Sequence, residues 1–300
     1  MLLLSEPDAS LSRSRAVRNA LTFDLEEYFH AEAFAGLVSS DDWTRLGSRI
    51  RGSTLRLLES LERWKTSATF FVLGWLADRH PALVREIHAR GHEIACHGYM
   101  HRLIYRMGRE AFQADVRRAK RAIEDAIGTR VRGYRAPTFS VVRETLWALD
   151  VLAEEGFAYD SSIFPIHHDR YGIPGALRFP HRVKLAGGGQ IAEFPISNLN
   201  VAGQRLPFSG GGYFRLAPYP MVRRALRHVN RREGMPALVY LHPWEMDPGQ
   251  PRLALRRLPR LRHYVNLRHT ARKLDRLLAD FTFAPAGEVL CERGVMEAAS

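Results

Sequence analysis

Cysteine is scarce in this chain, whose 300 residues include only Cys96 and Cys291. Two thiols cannot form the disulfide framework of small secreted scaffolds, so we expect a reducing, intracellular setting. Cys96 ends an apolar run with strand character, and we predict that it is a buried strand residue rather than a nucleophile. The cysteine content therefore gives no indication of thiol chemistry.

Long apolar runs are also missing. The longest, Thr69 to Ala77, falls far short of the roughly 20 residues that a membrane-spanning helix needs. At the N-terminus, Met1 to Leu4 gives way at once to the polar segment Ser5 to Asp8, which is not the pattern of a signal peptide. We therefore expect neither a leader nor an anchor. A cytoplasmic location is expected, and peripheral contact with a membrane surface stays open.

Lysine is nearly absent, whereas arginine is abundant: four lysines and 40 arginines against 32 acidic residues give a formal net charge of +12. The densest basic stretch runs from Arg252 to Lys273. A solvated helix face explains this stretch best, and phosphate, an acidic glycan or an anionic membrane surface are alternative partners. Because no nucleic-acid-binding motif accompanies it, we expect no nucleic-acid partner.

The chain has no internal repeat, no flexible linker and no glycine-rich phosphate loop after its first apolar run. This favours an N-terminal extension (1–18) and a single domain (19–300), with a C-terminal helical extension from about residue 246. Strands are predicted at 20–25, 68–73, 93–96, 132–134, 157–159, 191–194, 237–241 and 288–290, and helices at 47–64, 81–89, 110–127, 144–155 and 267–281. The glycine clusters 187–189 and 210–212 are predicted to be turns.

Polar residues lie at or just after the C-terminal ends of five predicted strands: Asp24, His97, Arg135, Asp160 and His242. Strands that alternate with helices form a parallel sheet, either open or closed, and barrel enzymes assemble their active sites at this edge. An open doubly wound sheet would instead place its ligand at a switch point, usually beside a phosphate loop. We therefore predict an α/β fold, a distorted (β/α) barrel with about seven strands.

Two imidazoles four residues apart, in the segment His97 to His101, directly follow one of these strands. A catalytic zinc site uses three protein ligands and one open position, and a carboxylate often joins two histidines. The first strand ends in Asp24, Glu26 and Glu27, which offer that carboxylate. The spacing alone is weak evidence, and polar loop residues without a metal are the alternative.

Five ordered segments carry a resemblance to a known family. They are Thr22-Phe23-Asp24 with Glu26, His97-Gly98-Tyr99-Met100-His101, Tyr134-Arg135-Ala136-Pro137, Tyr159-Asp160-Ser161-Ser162 and Tyr240-Leu241-His242-Pro243. In this order they resemble the motifs of NodB-like polysaccharide deacetylases of carbohydrate esterase family 4. The segments 24–29, 210–215 and 242–245 look more narrowly like the subgroup found beside bacterial exopolysaccharide and exosortase loci. The resemblance implies a barrel with one divalent metal ion, usually Zn²⁺, that hydrolyses the N-acetyl group of a hexosamine in a glycan.

The expected roles follow from this resemblance and from the chemistry of amide hydrolysis. Glu26, His97 and His101 are the expected metal ligands, and Asp24 is the expected general base. Arg135 would orient Asp24 through a planar, two-bond pairing. His242 would protonate the leaving nitrogen, and Asp160 would fix the tautomer of His242.

Structural alternatives to these roles stay open. Asp24 could cap a helix, Arg135 and Asp160 could form ordinary ion pairs, and His242 could be a buried, hydrogen-bonded histidine. Alternation along a strand puts Asp24 and Glu26 on one side only if the strand persists, and otherwise Glu27 is the ligand.

Two further features bear on the oxyanion-binding loop and on sugar binding. Thr138 and then Phe139 follow Pro137, where the family often has an aromatic residue, so the oxyanion-binding N–H of that loop is less secure. Four aromatic residues could line a sugar groove or belong to the core. These are Tyr28, Tyr213, Phe214 and Trp244.

The sequence thus predicts a hydrolase that releases acetate from N-acetylhexosamine units of a bacterial polysaccharide, with an N-acetylated glycan as its partner. Alternatives are a hydrolase of small cyclic amides or imides on the same fold and a glycan-binding protein without catalysis. DNA binding through Arg252 to Lys273 is the weakest alternative. The glycan, the metal used in the cell and the oligomeric state stay open.

Overall fold

Seven parallel strands lie side by side in the computed structural model, which describes residues 17–298. The strands are β1 (Asn19–Leu25), β2 (Thr69–Val72), β3 (Glu93–Cys96), β4 (Gly133–Tyr134), β5 (Tyr159–Asp160), β6 (His181–Lys184), β7 (Gln190–Glu193), β8 (Asn198–Val201), β9 (Gln204–Pro207), β10 (Leu238–Leu241) and β11 (Phe283–Ala284). The parallel order is β10-β1-β2-β3-β4-β5-β7. Antiparallel β6 adds to β7, β11 pairs with the start of β1, and β8 and β9 form a separate hairpin. Apart from residues 17 and 18, the predicted N-terminal extension lies outside the described residues.

Helices connect the strands. They are α1 (Ile50–Arg63), α2 (Gly74–Arg79), α3 (Pro81–Ala89), α4 (Arg109–Ile127), α5 (Trp147–Glu154), α6 (Gly211–Leu216), α7 (Tyr219–Arg231), α8 (Arg257–Tyr264), α9 (Leu267–Asp280) and α10 (Ala286–Glu292). The longest, α4, buries Phe112, Val116 and Ile123 at helical spacing and stops at Gly128 in the left-handed conformation. No helix between residues 17 and 298 is long and apolar enough to cross a bilayer.

Side chains of the strands alternate between two environments, and this alternation positions the candidate site. In β1, Leu21, Phe23 and Leu25 belong to the core that the strands share with the helices. Ala20 belongs to a second core, which includes residues of β2, β3, β7 and β10. Because successive strand residues point to opposite faces, Asp24 lies on the same side as Ala20, inside the curved sheet.

Loop segments cover the side of β10 that faces away from β1. The Leu238 N–H donates to Ser197 Oγ at 2.8 Å, and Gly210 forms a parallel bridge with Tyr240. A Cβ atom on Gly210 would lie 2.2 Å from the Tyr240 ring, so this close approach requires glycine. The curved sheet is therefore extended beyond β10 by loop backbone.

The predicted distorted α/β barrel with about seven strands is confirmed, and two local predictions are wrong. Residues 288–290 lie in helix α10 rather than in a strand, because the chain starts a helix after Pro285. Residues 210–212 are not a turn, since Gly210 is extended and Gly211 begins α6. The sequence did not indicate β6, β8, β9 and β11 or α2, α6, α7 and α8, most of which are short.

Candidate metal and acid-base site

Glu26, His97 and His101 come together at the C-terminal edge of the sheet. The Nε2 atoms of both histidines lie 2.9 Å from Oε1 of Glu26. All three side chains present one ligand atom within 4.8 Å of the others. A carboxylate and two imidazoles at this separation match the donor set of a catalytic zinc site.

Strand ends position these three side chains. Glu26 directly follows β1, and His97 directly follows β3, where its N–H donates to Val72 O at 2.8 Å. His101 has a left-handed backbone with φ of 52°, a conformation that is uncommon for non-glycine residues. The loop from Gly98 to His101 therefore returns the His101 imidazole to the C-terminal end of β3.

Glu27 has a different task from Glu26. Its carboxylate accepts hydrogen bonds from the N–H groups of Arg49 (3.0 Å) and Ile50 (3.1 Å), at the start of α1. Burial raises the pKa of Glu27 despite these bonds. The alternation expected from β1 thus holds as far as Glu26, and Glu27 points to the helix instead of the histidines.

The tautomer of His97 suits metal binding. Its Nδ1 atom lies 2.8 Å from the carbonyl oxygen of Arg135, which can only accept, so Nδ1 carries the proton. Nε2 is then free to bind a cation, an arrangement typical of metal-ligating histidines. Burial opposes the charge of Glu26, yet the neighbouring His101 holds its pKa well below the ordinary value, so the carboxylate stays ionised. These residues could hold a divalent ion.

Asp24 lies beside this cluster and is held by Arg135. Nη1 of Arg135 donates to Asp24 Oδ1 at 2.7 Å and to Thr22 Oγ1 at 2.9 Å. The guanidinium is completely buried, lies 4.0 Å from the centre of the Phe71 ring and also donates to Ser161. The predicted two-bond pairing is wrong, because Arg135 gives Asp24 a single hydrogen bond from Nη1 and directs three other donors at Thr22 and Ser161. Asp24 sits in a strand and does not cap a helix, and its ion pair with Arg135 is buried rather than at a solvated rim.

His242, directly after β10, faces Asp24 across the site, with Nε2 3.8 Å from Asp24 Oδ2. Its Nδ1 lies 2.8 Å from Glu245 Oε1, and Glu245 Oε2 accepts a hydrogen bond from Arg215 Nε at 2.5 Å. Burial opposes the charge of His242, but the bond to Glu245 and the nearby Glu26 and Asp24 raise its pKa to about 9. Glu245 therefore orients His242.

The predicted pairing of Asp160 with His242 is wrong. Asp160 accepts hydrogen bonds from the N–H (3.1 Å) and hydroxyl (2.6 Å) of Ser162. It also lies opposite Glu193, because β5 and β7 are in register at these two residues. Burial, with Asp160 beside it, raises the pKa of Glu193 well above the ordinary value. Asp160 thus belongs to a buried carboxyl pair that supports the loop after β5.

Sequence reasoning gave no role to Glu245 and Arg215. Glu245 stands three residues after His242, and its carboxylate also accepts from the His242 N–H at 2.9 Å, as in a capping box. That spacing could have identified Glu245. Arg215 comes from α6 and bonds the carbonyl oxygens of Arg262 and His263, so only the fold reveals it.

The four aromatic residues that could line a sugar groove are mostly part of the core. Tyr28, Phe214 and Trp244 are buried, and Tyr213 is half-buried. The Trp244 ring stacks on His242 at 5.1 Å and on His263 at 4.5 Å. Trp244 therefore packs against one face of the His242 ring.

Two family models match the chain. Residues 37–157 match the family described as polysaccharide deacetylase, and residues 161–291 match a domain of unknown function, DUF3473. His97, His101 and Arg135 lie in the first match, and His242 lies in the second. Glu26 precedes both matched ranges, so the family models do not include it. Its contact with the two histidines comes from the structure.

Relatives and solved structures extend these matches. The chitooligosaccharide deacetylase of Sinorhizobium fredii is 37% identical over 100 residues, which cover 33% of this chain and 44% of that protein. A Mycobacterium smegmatis protein provisionally described as a polysaccharide deacetylase has a TM-score of 0.63 at 24% identity, covering 97% of this chain and 94% of that chain. PuuE allantoinase has a TM-score of 0.60 at 16% identity, covering 99% and 96%.

These comparisons relate the chain to the polysaccharide deacetylases, which confirms the predicted resemblance at the level of that family. This chain spans less than half of the Sinorhizobium relative, and the two solved structures show a shared fold. The narrower exopolysaccharide and exosortase subgroup stays a prediction.

Proposed function

We propose that this relative of the polysaccharide deacetylases is a metal-dependent hydrolase that removes N-acetyl groups from hexosamine units of a bacterial polysaccharide and releases acetate. One observation carries the proposal: Glu26, His97 and His101 converge within hydrogen-bond distance, with Asp24 and His242 close beside Glu26. This arrangement supplies a cation site, a base and an acid around one small volume, as amide hydrolysis requires.

The donor set fits a divalent cation, for which we propose Zn²⁺. Two imidazole nitrogens and one carboxylate oxygen are ligands that zinc prefers, and the Arg135 carbonyl fixes the tautomer of His97. A bound cation would make water more acidic and polarise the acetyl carbonyl.

Asp24 is the proposed general base. Arg135 holds its Oδ1 atom, which leaves Oδ2 on the side of His242 to accept a proton from the attacking water. Arg135 also places a buried positive charge 2.7 Å from Asp24 Oδ1. Arg135 is thus a positioning residue for Asp24.

His242 is the proposed general acid. A protonated imidazole is needed to convert the departing amide nitrogen into a good leaving group. Glu245 holds the Nδ1 side of the ring, so Nε2 faces the site and can donate. This orientation, rather than the raised pKa alone, supports the role.

Acetate release from N-acetylated chito-oligomers tests the proposal. The wild-type protein should release acetate and free amine, lose activity to a chelator and regain it with Zn²⁺. His97→Ala should lose zinc and acetate release together, whereas the exposed His228→Ala should retain both. A correctly folded, zinc-loaded protein that releases no acetate from any N-acetylated glycan would contradict the proposal.

A second candidate keeps the site and changes the substrate to a small cyclic amide. The likeness to PuuE allantoinase favours it, since that fold covers 99% of this chain. Allantoin and acetylated oligomers assayed side by side separate the two candidates, and we expect turnover only of the acetylated glycan. An exopolysaccharide as the natural substrate, a cytoplasmic location and a single domain from residue 19 are further parts of the proposal.

A further inference from the structure

Helix α8 is attached to the protein by one side. Its buried residue is His263, whose ring stacks on Trp244 at 4.5 Å and whose Nε2 lies 2.8 Å from Gln250 Oε1. Arg215 fixes the backbone of α8 by donating to the carbonyl oxygens of Arg262 (3.1 Å) and His263 (2.6 Å). The helix is therefore held firmly from within, through buried groups.

The opposite side of α8 exposes two leucines. Leu258 and Leu261 have 56% and 58% of their surfaces exposed, and residues three apart lie on one face of a helix. On a wheel of about 3.6 residues per turn, this pair lies opposite His263. Arg257 flanks the pair on one side and Arg262 on the other. The exposed side is thus an apolar stripe between two guanidinium groups.

The surrounding sequence has charge of one sign. Residues 248–274 contain eight basic residues and no Asp or Glu. Among residues 17–298, no salt bridge involves Arg256, Arg257, Arg260 or Arg262, whereas Arg215 and Arg223 nearby are paired. The arginines of α8 are exposed, so their charge is available to an anionic partner.

We propose that α8 docks this protein on an anionic lipid bilayer, with Leu258 and Leu261 among the headgroups and the arginines against lipid phosphates. A short amphipathic helix with a basic border binds bilayers in this way. A polynucleotide or an acidic glycan would use the arginines and leave the leucines in water. A second copy docking by the same face would set arginine against arginine.

Docking through α8 would hold the candidate site near the bilayer surface. His263 of α8 stacks on Trp244, and Trp244 stacks on His242. Membrane docking goes beyond the proposed function and requires no deacetylation, so vesicle binding can be measured independently of acetate release.

Co-sedimentation with vesicles tests the inference. The full chain should bind phosphatidylcholine vesicles that contain phosphatidylglycerol, bind pure phosphatidylcholine weakly, and lose binding as salt is raised. Arg257→Gln, Arg260→Gln and Arg262→Gln together should weaken binding roughly 100-fold, at about tenfold per 1.4 kcal/mol and about 1 kcal/mol per arginine. Leu258→Ser with Leu261→Ser should weaken it by about tenfold or more.

Matched variants outside α8 provide the controls. Arg121→Gln, Arg130→Gln and Arg231→Gln remove the same charge from exposed positions, and Val201→Ser with Leu206→Ser removes two exposed apolar side chains from the β8–β9 hairpin. Both controls should bind vesicles nearly as wild type, and thermal unfolding should show every variant folded. No binding to anionic vesicles, or equal loss in the controls, would overturn the proposal. Binding to DNA or heparin that needs the arginines and ignores the leucines would also overturn it.

Discussion

Glu26 and Glu27 are neighbours with different partners, and zinc should distinguish them. Glu26 contacts the Nε2 atoms of His97 and His101 at 2.9 Å, whereas Glu27 accepts from backbone N–H groups at the start of α1. Glu26→Gln removes one charged ligand of three. Glu27→Gln leaves all three ligands in place.

The expected loss of zinc affinity in Glu26→Gln follows from the number of ligands. Structural zinc sites bind with about 10–16 kcal/mol, so one ligand of three or four contributes about 3–5 kcal/mol. Glu26→Gln should therefore weaken zinc binding by at least roughly 100-fold. Glu27→Gln should leave the zinc dissociation constant within about threefold of wild type, because its carboxylate is directed at α1.

Thermal unfolding with and without zinc measures this difference. At free zinc about 100 times the wild-type dissociation constant, binding stabilises the folded state by about 2.7 kcal/mol. At about 2.1 cal/mol/K per residue over the whole chain, this raises the Tm by about 4 °C. The Glu27 variant should show the same rise. At the same zinc concentration, the Glu26 variant should gain only about 0.4 kcal/mol, less than 1 °C.

A reversed outcome would refute the reasoning. Loss of the zinc-dependent rise in the Glu27 variant, with retention in the Glu26 variant, would mean that the chain turns before Glu26 and that the second carboxylate is the ligand. Equal rises in both variants would mean that zinc binds elsewhere. Comparing the two variants with each other cancels zinc binding that both share.

His242 with its hydrogen-bond partners, and the packing of Gly210 against Tyr240, give further expected outcomes. The hydrogen bond from His242 to Glu245 opposes burial and raises the pKa of His242, so the protonated acid is present below that pKa and the rate of acetate release should fall as pH rises through it. Glu245→Gln should move this alkaline limb down by about one to two pH units, because a charged hydrogen bond is lost. Asp160→Asn should leave the limb in place, since Asp160 bonds Ser162; a shift in this variant alone would restore the pairing predicted from sequence. In urea unfolding, Gly210→Ala should cost about 1–3 kcal/mol or more, because its Cβ would lie 2.2 Å from a Tyr240 ring atom. Gly212→Ala, whose Cβ would lie 3.9 Å from the carbonyl oxygen of Arg262, should be nearly neutral, and equal stability of the two variants would contradict the packing argument.

The sheet and the strand-end residues were predictable because they depend on local patterns. Apolar runs identified β1, β2, β3 and β10, and parallel strands bring their C-terminal ends to one edge wherever the helices lie. Alternation along β1 then put Asp24 and Glu26 on one side. The positions of His97 and Arg135 at this edge could be predicted from the ends of their strands alone.

The partners of His242 and Asp160 were not predictable in the same way. Asp160 meets Glu193 because β5 and β7 pair in register, which depends on the unforeseen strand β6 and its turn. Arg215 reaches Glu245 from α6, 30 residues away in sequence. Such pairings depend on tertiary packing, which residue type and spacing do not specify.

Anomalous diffraction at the zinc edge, from crystals of the wild-type protein grown with Zn²⁺, tests the central claim most directly. We expect one strong peak between Glu26 Oε1 and the Nε2 atoms of His97 and His101, at zinc-ligand distances of about 2.0–2.2 Å. A peak bound to Glu27, or no peak at these two histidines while zinc occupies another part of the protein, would contradict it.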